Sequence, residues 1–146
     1  MNSQPRLSYE TSRPQSRKLV PTPPLAVGGP YFTPTIDHWV LQFHGVAPER
    51  INDPERLQEA LNSVVDRLGL TRVSEHSHYF RPGVSTVIIL SESHLSAHTW
   101  PEHGYIHVDI VTCVRKLTAE RLEEAFQEAF EPSHSHMVQL DYMDGR

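Results

Sequence analysis

Between positions 85 and 113 the chain carries Ser85, Glu92, Ser93, His98, Glu102 and Cys113, side chains able to do covalent and acid–base work. A serine hydroxyl attacks an acyl carbon when a base takes its proton, and histidine is the usual base near neutral pH. A lone cysteine is either a buried structural thiol or a reactive group whose proton can be passed on. Several chemistries could draw on this set. A Ser-His-acid hydrolase is one, although no Gly-x-Ser-x-Gly elbow is present. A metal site is another, because His94 and His98 stand four apart. That spacing aligns ligands on a helix, whereas the segment follows a β-branched run and reads as extended. His134 and His136 are spaced for one strand face, with no evident third ligand. A binding module without catalysis is the third reading, with this stretch as a core strand bearing polar residues on its solvent side.

These residues must be held by regular elements, and the pattern becomes regular from Asp37 onward. Trp39, Leu41 and Phe43 alternate as a first strand should. Asp53-Pro54 starts a helix, with Asp53 as N-cap, and Leu57, Leu61, Val64, Val65 and Leu68 recur at helical spacing until Gly69. Thr71 to Phe80 is extended, Pro82-Gly83 marks a turn, and Val84 to Leu90 is a β-branched, buried strand. His94 to Trp100 and Tyr105 to Cys113 are further strands. Thr118 caps a second helix whose apolar stripe is Leu122, Ala125, Phe126, Ala129 and Phe130, and Met137 to Tyr142 closes the series. The order β-α-β-β-β-β-α-β predicts an α+β two-layer sandwich, a mostly antiparallel sheet with two helices on one face. The uncovered face points to a homodimer.

Bulk properties narrow the function. With 146 residues the chain fits one domain. A net charge of −5 argues against nucleic acid as partner. No apolar run is long enough to span a bilayer and no signal-like stretch opens the chain, so a cytoplasmic protein with no membrane partner is expected. Residues 1–33 hold six of the 12 prolines and read as a disordered arm preceding a domain at 34–146. Arg6, Arg13, Arg17 and Lys18 against Glu10 give that arm +3, leaving −8 for the rest.

The run Ser91-Glu92-Ser93-His94-Leu95, then His98-Thr99-Trp100-Pro101-Glu102, Gly104-Tyr105 and Asp109-Ile110 with Thr112-Cys113, resembles the signature of the small prokaryotic S-adenosylmethionine decarboxylase proenzymes. The resemblance extends from about Asp37 to the second helix. It implies a chain that cuts itself between Glu92 and Ser93 into residues 1–92 and 93–146. Ser93 would attack the carbonyl carbon of Glu92, with Ser85 stabilising the oxyanion and His98 removing the α-proton in the elimination that follows. Ser93 would thereby become a covalently bound pyruvoyl group, an electron sink that replaces pyridoxal phosphate. Cys113 stands where the family's proton donor does. Glu102 matches the residue that contacts the substrate ribose, and Tyr79, or Phe80 with a turn one residue shorter, matches an adenine-stacking aromatic. Such rings also suit a sulfonium cation. The expected product feeds aminopropyl transfer in polyamine (spermidine) synthesis.

Ser85 and Ser93 are eight residues apart on what reads as one extended run, about 26 Å at strand rise. Either the chain folds back sharply between them or Ser85 serves the Ser93 of another copy. With no Gly or Pro between them the second is expected, so that Ser85, His98 and Glu102 of one protomer serve Ser93 and Cys113 of another, in a dimer with shared sites. Val114, Ile106, His107 and Val111 depart from the family pattern. Substrate identity is therefore less constrained than self-processing, and ornithine or arginine, with Glu102 or Asp109 facing the side-chain cation, is the alternative. A noncatalytic homologue is the third possibility.

Overall fold

The computed structural model describes residues 36–113 and 117–140. The arm, Val114 and any extension of the last strand past Leu140 lie outside that range. Six strands form one sheet: β1 (Asp37–His44), β2 (Arg72–Tyr79), β3 (Val84–Leu90), β4 (Ser93–Trp100), β5 (Tyr105–Thr112) and β6 (His134–Leu140). The helices are α1 (Pro54–Arg67) and α2 (Ala119–Phe130), and single 3₁₀ turns occupy Pro48–Arg50 and Pro101–His103. The expected order of strands and helices is thus observed.

Both helix starts follow from their caps. The Asp53 carboxylate accepts the Arg56 N–H at 3.0 Å with Pro54 in the first turn, and Thr118 Oγ1 accepts the Arg121 N–H at 3.3 Å. Gly69, just past α1, takes φ +70, as a residue without Cβ does freely.

Alternation along each strand divides the sheet into two faces. One face buries Leu41, Phe43, Ile88, Leu95, Ile106, Val108 and Ile110 against Leu57, Leu61, Val64, Leu122, Phe126 and Phe130 of the helices. Phe43 and Phe126 stack with ring centres 4.8 Å apart. Each such large apolar side chain contributes roughly 1.5–3 kcal/mol through burial. Thr99, also fully buried, spends its hydroxyl twice, accepting the Val84 N–H and donating to the Ile51 carbonyl, both at 2.9 Å.

The other face has no helix over it among the described residues. It carries His76, His78, Ser85, Val87, Ile89, His94, Ser96, His98, Trp100, Tyr105, His107, Asp109 and Val111.

The strand order is β2-β3-β4-β5-β1-β6, with every neighbouring pair antiparallel. Strand β1 lies between β5 and β6, so His38 is opposite Val111 and Val40 opposite Asp109. Two boundaries differ from the sequence expectation. Strand β6 begins at His134 rather than Met137, because pairing with β1 runs from His44 and overrides the low strand propensity of Ser135. The more consequential difference concerns the run from Ser85 to Ser93, which is not one extended segment. Leu90 pairs with Ser93, so the chain reverses through a two-residue turn at Ser91-Glu92.

Candidate active site

The turn at Ser91-Glu92 is pinned from two sides. The Ser91 N–H donates to the Thr71 carbonyl at 2.9 Å, and the Glu92 carboxylate accepts the Thr71 N–H at 3.1 Å. Two-residue hairpin turns ordinarily take positive φ within the loop. Neither Ser91 nor Glu92 does so; the positive φ falls on Ser93, at +149. That region is nearly exclusive to glycine, and holding another residue there costs on the order of 1–3 kcal/mol. The strained residue is the one whose preceding peptide bond the sequence singles out. We expect Ser93→Gly to unfold at higher denaturant concentration than Ser93→Ala, by about 1–3 kcal/mol in chemical denaturation, since only glycine relieves the strain. Equal midpoints would refute it.

The carbonyl preceding Ser93 is polarised. The Cys113 backbone N–H donates to the Glu92 carbonyl oxygen at 3.0 Å, where strand β5 passes the turn. Ser93 Oγ lies 3.2 Å from His94 Nδ1. His94 Nε2 lies 3.4 Å from Asp109 Oδ1, and His38 Nε2 lies 2.5 Å from Asp109 Oδ2. Glu92, Ser93, His94, Asp109 and Cys113 therefore gather at one end of the sheet, with the Cys113 side chain exposed. Sequence reasoning missed the Cys113 amide and the contacts of His94 and His38 with Asp109. The amide is invisible in residue types, and His38 arrives only because β1 pairs with β5.

A second group assembles at the opposite end of β4. Ser85 and His98 are cross-strand partners, with Ser85 Oγ 2.8 Å from His98 Nδ1. Nearby, the rings of Trp100 and Tyr105 lie 5.4 Å apart and those of His44 and Tyr105 4.9 Å apart. His44, Trp100, His103 and Tyr105 line a cavity of about 400 Å³. Glu102 is exposed on the adjoining 3₁₀ turn.

The two aromatic candidates part company. Tyr79 pairs with Val84, whose side chain is buried under the helices, so Tyr79 points to that side, with the Arg81 guanidinium 5.5 Å from its ring centre. The Phe80 ring instead packs over Gly83, where an added Cβ would fall 2.5 Å from the ring and 2.4 Å from the Thr99 carbonyl oxygen.

Within one chain the two groups stay apart. His98 follows Ser93 by five residues on β4, about 17 Å at strand rise. The hairpin thus replaces the expected straight run, yet it does not bring Ser85 to its own Ser93. His94 and His98 share a face but lie about 13 Å apart along β4, too far to share an ion. Among the described residues no three metal-ligating side chains gather, and no helix is long and apolar enough to cross a membrane. Of the departures from the family pattern, Ile106 is buried beneath the helices, while His107 and Val111 stand on the open face.

The S-adenosylmethionine decarboxylase family model matches residues 37–142, spanning both groups. The chain belongs to the S-adenosylmethionine decarboxylase family. Relatives bearing the name S-adenosylmethionine decarboxylase proenzyme include one from Archaeoglobus fulgidus, 37% identical over 69% of this chain and 92% of its own. One from Persephonella marina is 44% identical over 52% of this chain and 58% of its own. The crystal structure of adenosylmethionine decarboxylase from Aquifex aeolicus superposes with a TM-score of 0.64 at 29% identity, covering 76% of this chain and 97% of that one. The family's α+β architecture is therefore shared.

Proposed function

We propose that this chain is a proenzyme that cuts itself between Glu92 and Ser93 and then decarboxylates S-adenosylmethionine. The observation that carries the reading is the Cys113 N–H on the Glu92 carbonyl oxygen at 3.0 Å, beside a strained Ser93. An N–H aimed at a carbonyl oxygen stabilises the negative charge that develops there when the carbon is attacked. In this mechanism Ser93 Oγ attacks that carbon, the C–N bond breaks, and the chain is held by an ester. Removal of the Ser93 α-proton by His98 would then break the Cβ–Oγ bond, expel Glu92 with its main-chain carboxylate as the new C-terminus, and leave the precursor of the pyruvoyl group. The pyruvoyl carbonyl supplies an electrophile for the substrate amine and a sink for the electrons released with carbon dioxide. Cys113, exposed and adjacent, delivers the proton that the substrate's α-carbon then requires.

His98 and Ser85 must come from a second copy, because about 17 Å separates them from Ser93 along one strand. Two half-sites at opposite ends of one face suit a two-fold dimer. Pairing the open faces antiparallel puts the Ser93 end of each protomer against the Ser85–His98 end of its partner. Val87 and Ile89, 39% and 45% exposed on that face, would be covered in the process. Glu102 and Phe80 lie at the Ser85–His98 end and would there meet the ribose and adenine. Asp109 already holds His38 and His94, which weighs against its serving the side-chain cation of ornithine or arginine.

The test is the intact mass of the purified protein under denaturing conditions, followed by release of carbon dioxide from carboxyl-labelled substrates. Two fragments meeting between Glu92 and Ser93, the lighter one blocked, with turnover of S-adenosylmethionine and none of ornithine or arginine, are expected. A single chain, unchanged on long incubation, would sink the proposal.

A further inference from the structure

The first step of self-cleavage needs a base for the Ser93 hydroxyl, and the group within hydrogen-bond reach of that hydroxyl in its own chain is the His94 ring, whereas His98 is given to the later removal of the α-proton. The geometry points to His94 as that base, aligned by Asp109, which His38 holds in turn. This inference rests on the self-cleavage reading above.

The contacts form a continuous line. Ser93 Oγ lies 3.2 Å from His94 Nδ1, His94 Nε2 lies 3.4 Å from Asp109 Oδ1, and Asp109 Oδ2 lies 2.5 Å from His38 Nε2. With its proton on Nε2, His94 would set that N–H beside the Asp109 carboxylate, at an ion-pair distance of 3.4 Å, and present the Nδ1 lone pair to the Ser93 hydroxyl at 3.2 Å. A carboxylate on one ring nitrogen fixes the tautomer and stabilises the imidazolium that forms, the logic by which an acid supports a histidine base elsewhere. The strands set this geometry. Asp109 lies diagonally across from His94 on β5, and diagonally across from His38 on β1, all three on the open face. His38 and Asp109 are 71 residues apart in sequence.

The proton balance closes without any added reactant. His94 Nδ1 takes the proton from Ser93 Oγ as the oxygen bonds to the Glu92 carbonyl carbon. As the C–N bond breaks, the same proton passes from His94 to the departing Ser93 nitrogen, giving an ester and a free amine. The Cys113 N–H bears the oxyanion between the two transfers. His94 touches the reacting oxygen and is a catalytic residue. Asp109 and His38 act through it and are positioning residues.

The test follows conversion of freshly purified full-length precursor by intact mass, comparing wild type with His94→Ala, Asp109→Asn and the double variant. His94→Ala is expected to convert at least about 10²-fold more slowly, the lower bound for losing a general base, and imidazole in the medium should restore much of the rate. Asp109→Asn should slow conversion while adding little once His94 is gone, so the double variant should match His94→Ala. If His94→Ala does not fold, His94→Gln replaces it in the same comparison. A folded His94 variant converting at the wild-type rate would overturn the inference, as would a slow variant that imidazole leaves slow. Independent, additive effects of the two substitutions would overturn the role given to Asp109. Failure of the wild-type chain itself to convert would instead remove the self-cleavage reading beneath it.

Discussion

Ser93→Ala is expected to leave a single 16.7 kDa chain that neither divides nor decarboxylates. The methyl group keeps the Cβ but removes the hydroxyl proposed to attack the Glu92 carbonyl. The expected loss is on the order of 10⁶ in rate, the scale on which removal of a catalytic nucleophile operates. Ser93→Cys serves as the counterpart, since a thiol can make the same shift; it should divide at the same bond. Mass spectrometry of both variants after an incubation that converts wild type completely decides the matter. Division of Ser93→Ala between Glu92 and Ser93 would mean that another group makes the cut.

The second large effect is a restoration. His98→Ala alone should stop at the ester, detectable because hydroxylamine splits it, and Ser93→Ala alone should stay whole. Produced together in one cell, the two chains should yield blocked, fully processed fragments from His98→Ala chains paired with a Ser93→Ala partner. Random pairing puts about half of the His98→Ala chains in such mixed dimers. The argument rests on distance, since about 17 Å of strand lies between His98 and its own Ser93. Absence of processed product from mixed dimers, once their formation is verified by affinity tags, would confine the site to a single chain.

Most of the framework was legible in the residues. Asp53-Pro54 and Thr118 mark the helix starts because capping is local chemistry, and alternation at Trp39, Leu41 and Phe43 marks β1 because one face is buried. The turn at Ser91-Glu92 was not legible. It uses no Gly, Pro or Asn, and its unusual φ falls on the following residue, Ser93, so the sequence lacks the punctuation that usually announces a hairpin. The different sides taken by Tyr79 and Phe80 also needed the register, since a shift of one residue exchanges the faces of a strand. The contact of His38 with Asp109 depends on β1 entering between β5 and β6, a long-range choice that no local pattern encodes. Family resemblance supplied Ser85, Ser93, His98 and Cys113 as a set, and strand rise between Ser85 and Ser93 already divided them between protomers; the antiparallel pairing that sets Ser85 beside His98 came only from the fold.

Strand β1 has a further consequence. A cut after Glu92 assigns β1, β2 and β3 to one fragment and β4, β5 and β6 to the other. Because β1 is hydrogen-bonded on both edges to strands of the second fragment, the pieces interlock at three ladders: β3 with β4, β5 with β1, and β1 with β6. Separating them means dismantling the sheet. Before the cut, unfolding is a one-molecule event whose midpoint does not depend on how much protein is present, apart from any pairing of whole chains. Afterwards the two pieces must find each other again, and their recovery falls with dilution. Such a division would set a direction in time: a whole chain keeps its two parts tethered through unfolding, whereas a cut pair would depend on the fold laid down before the cut.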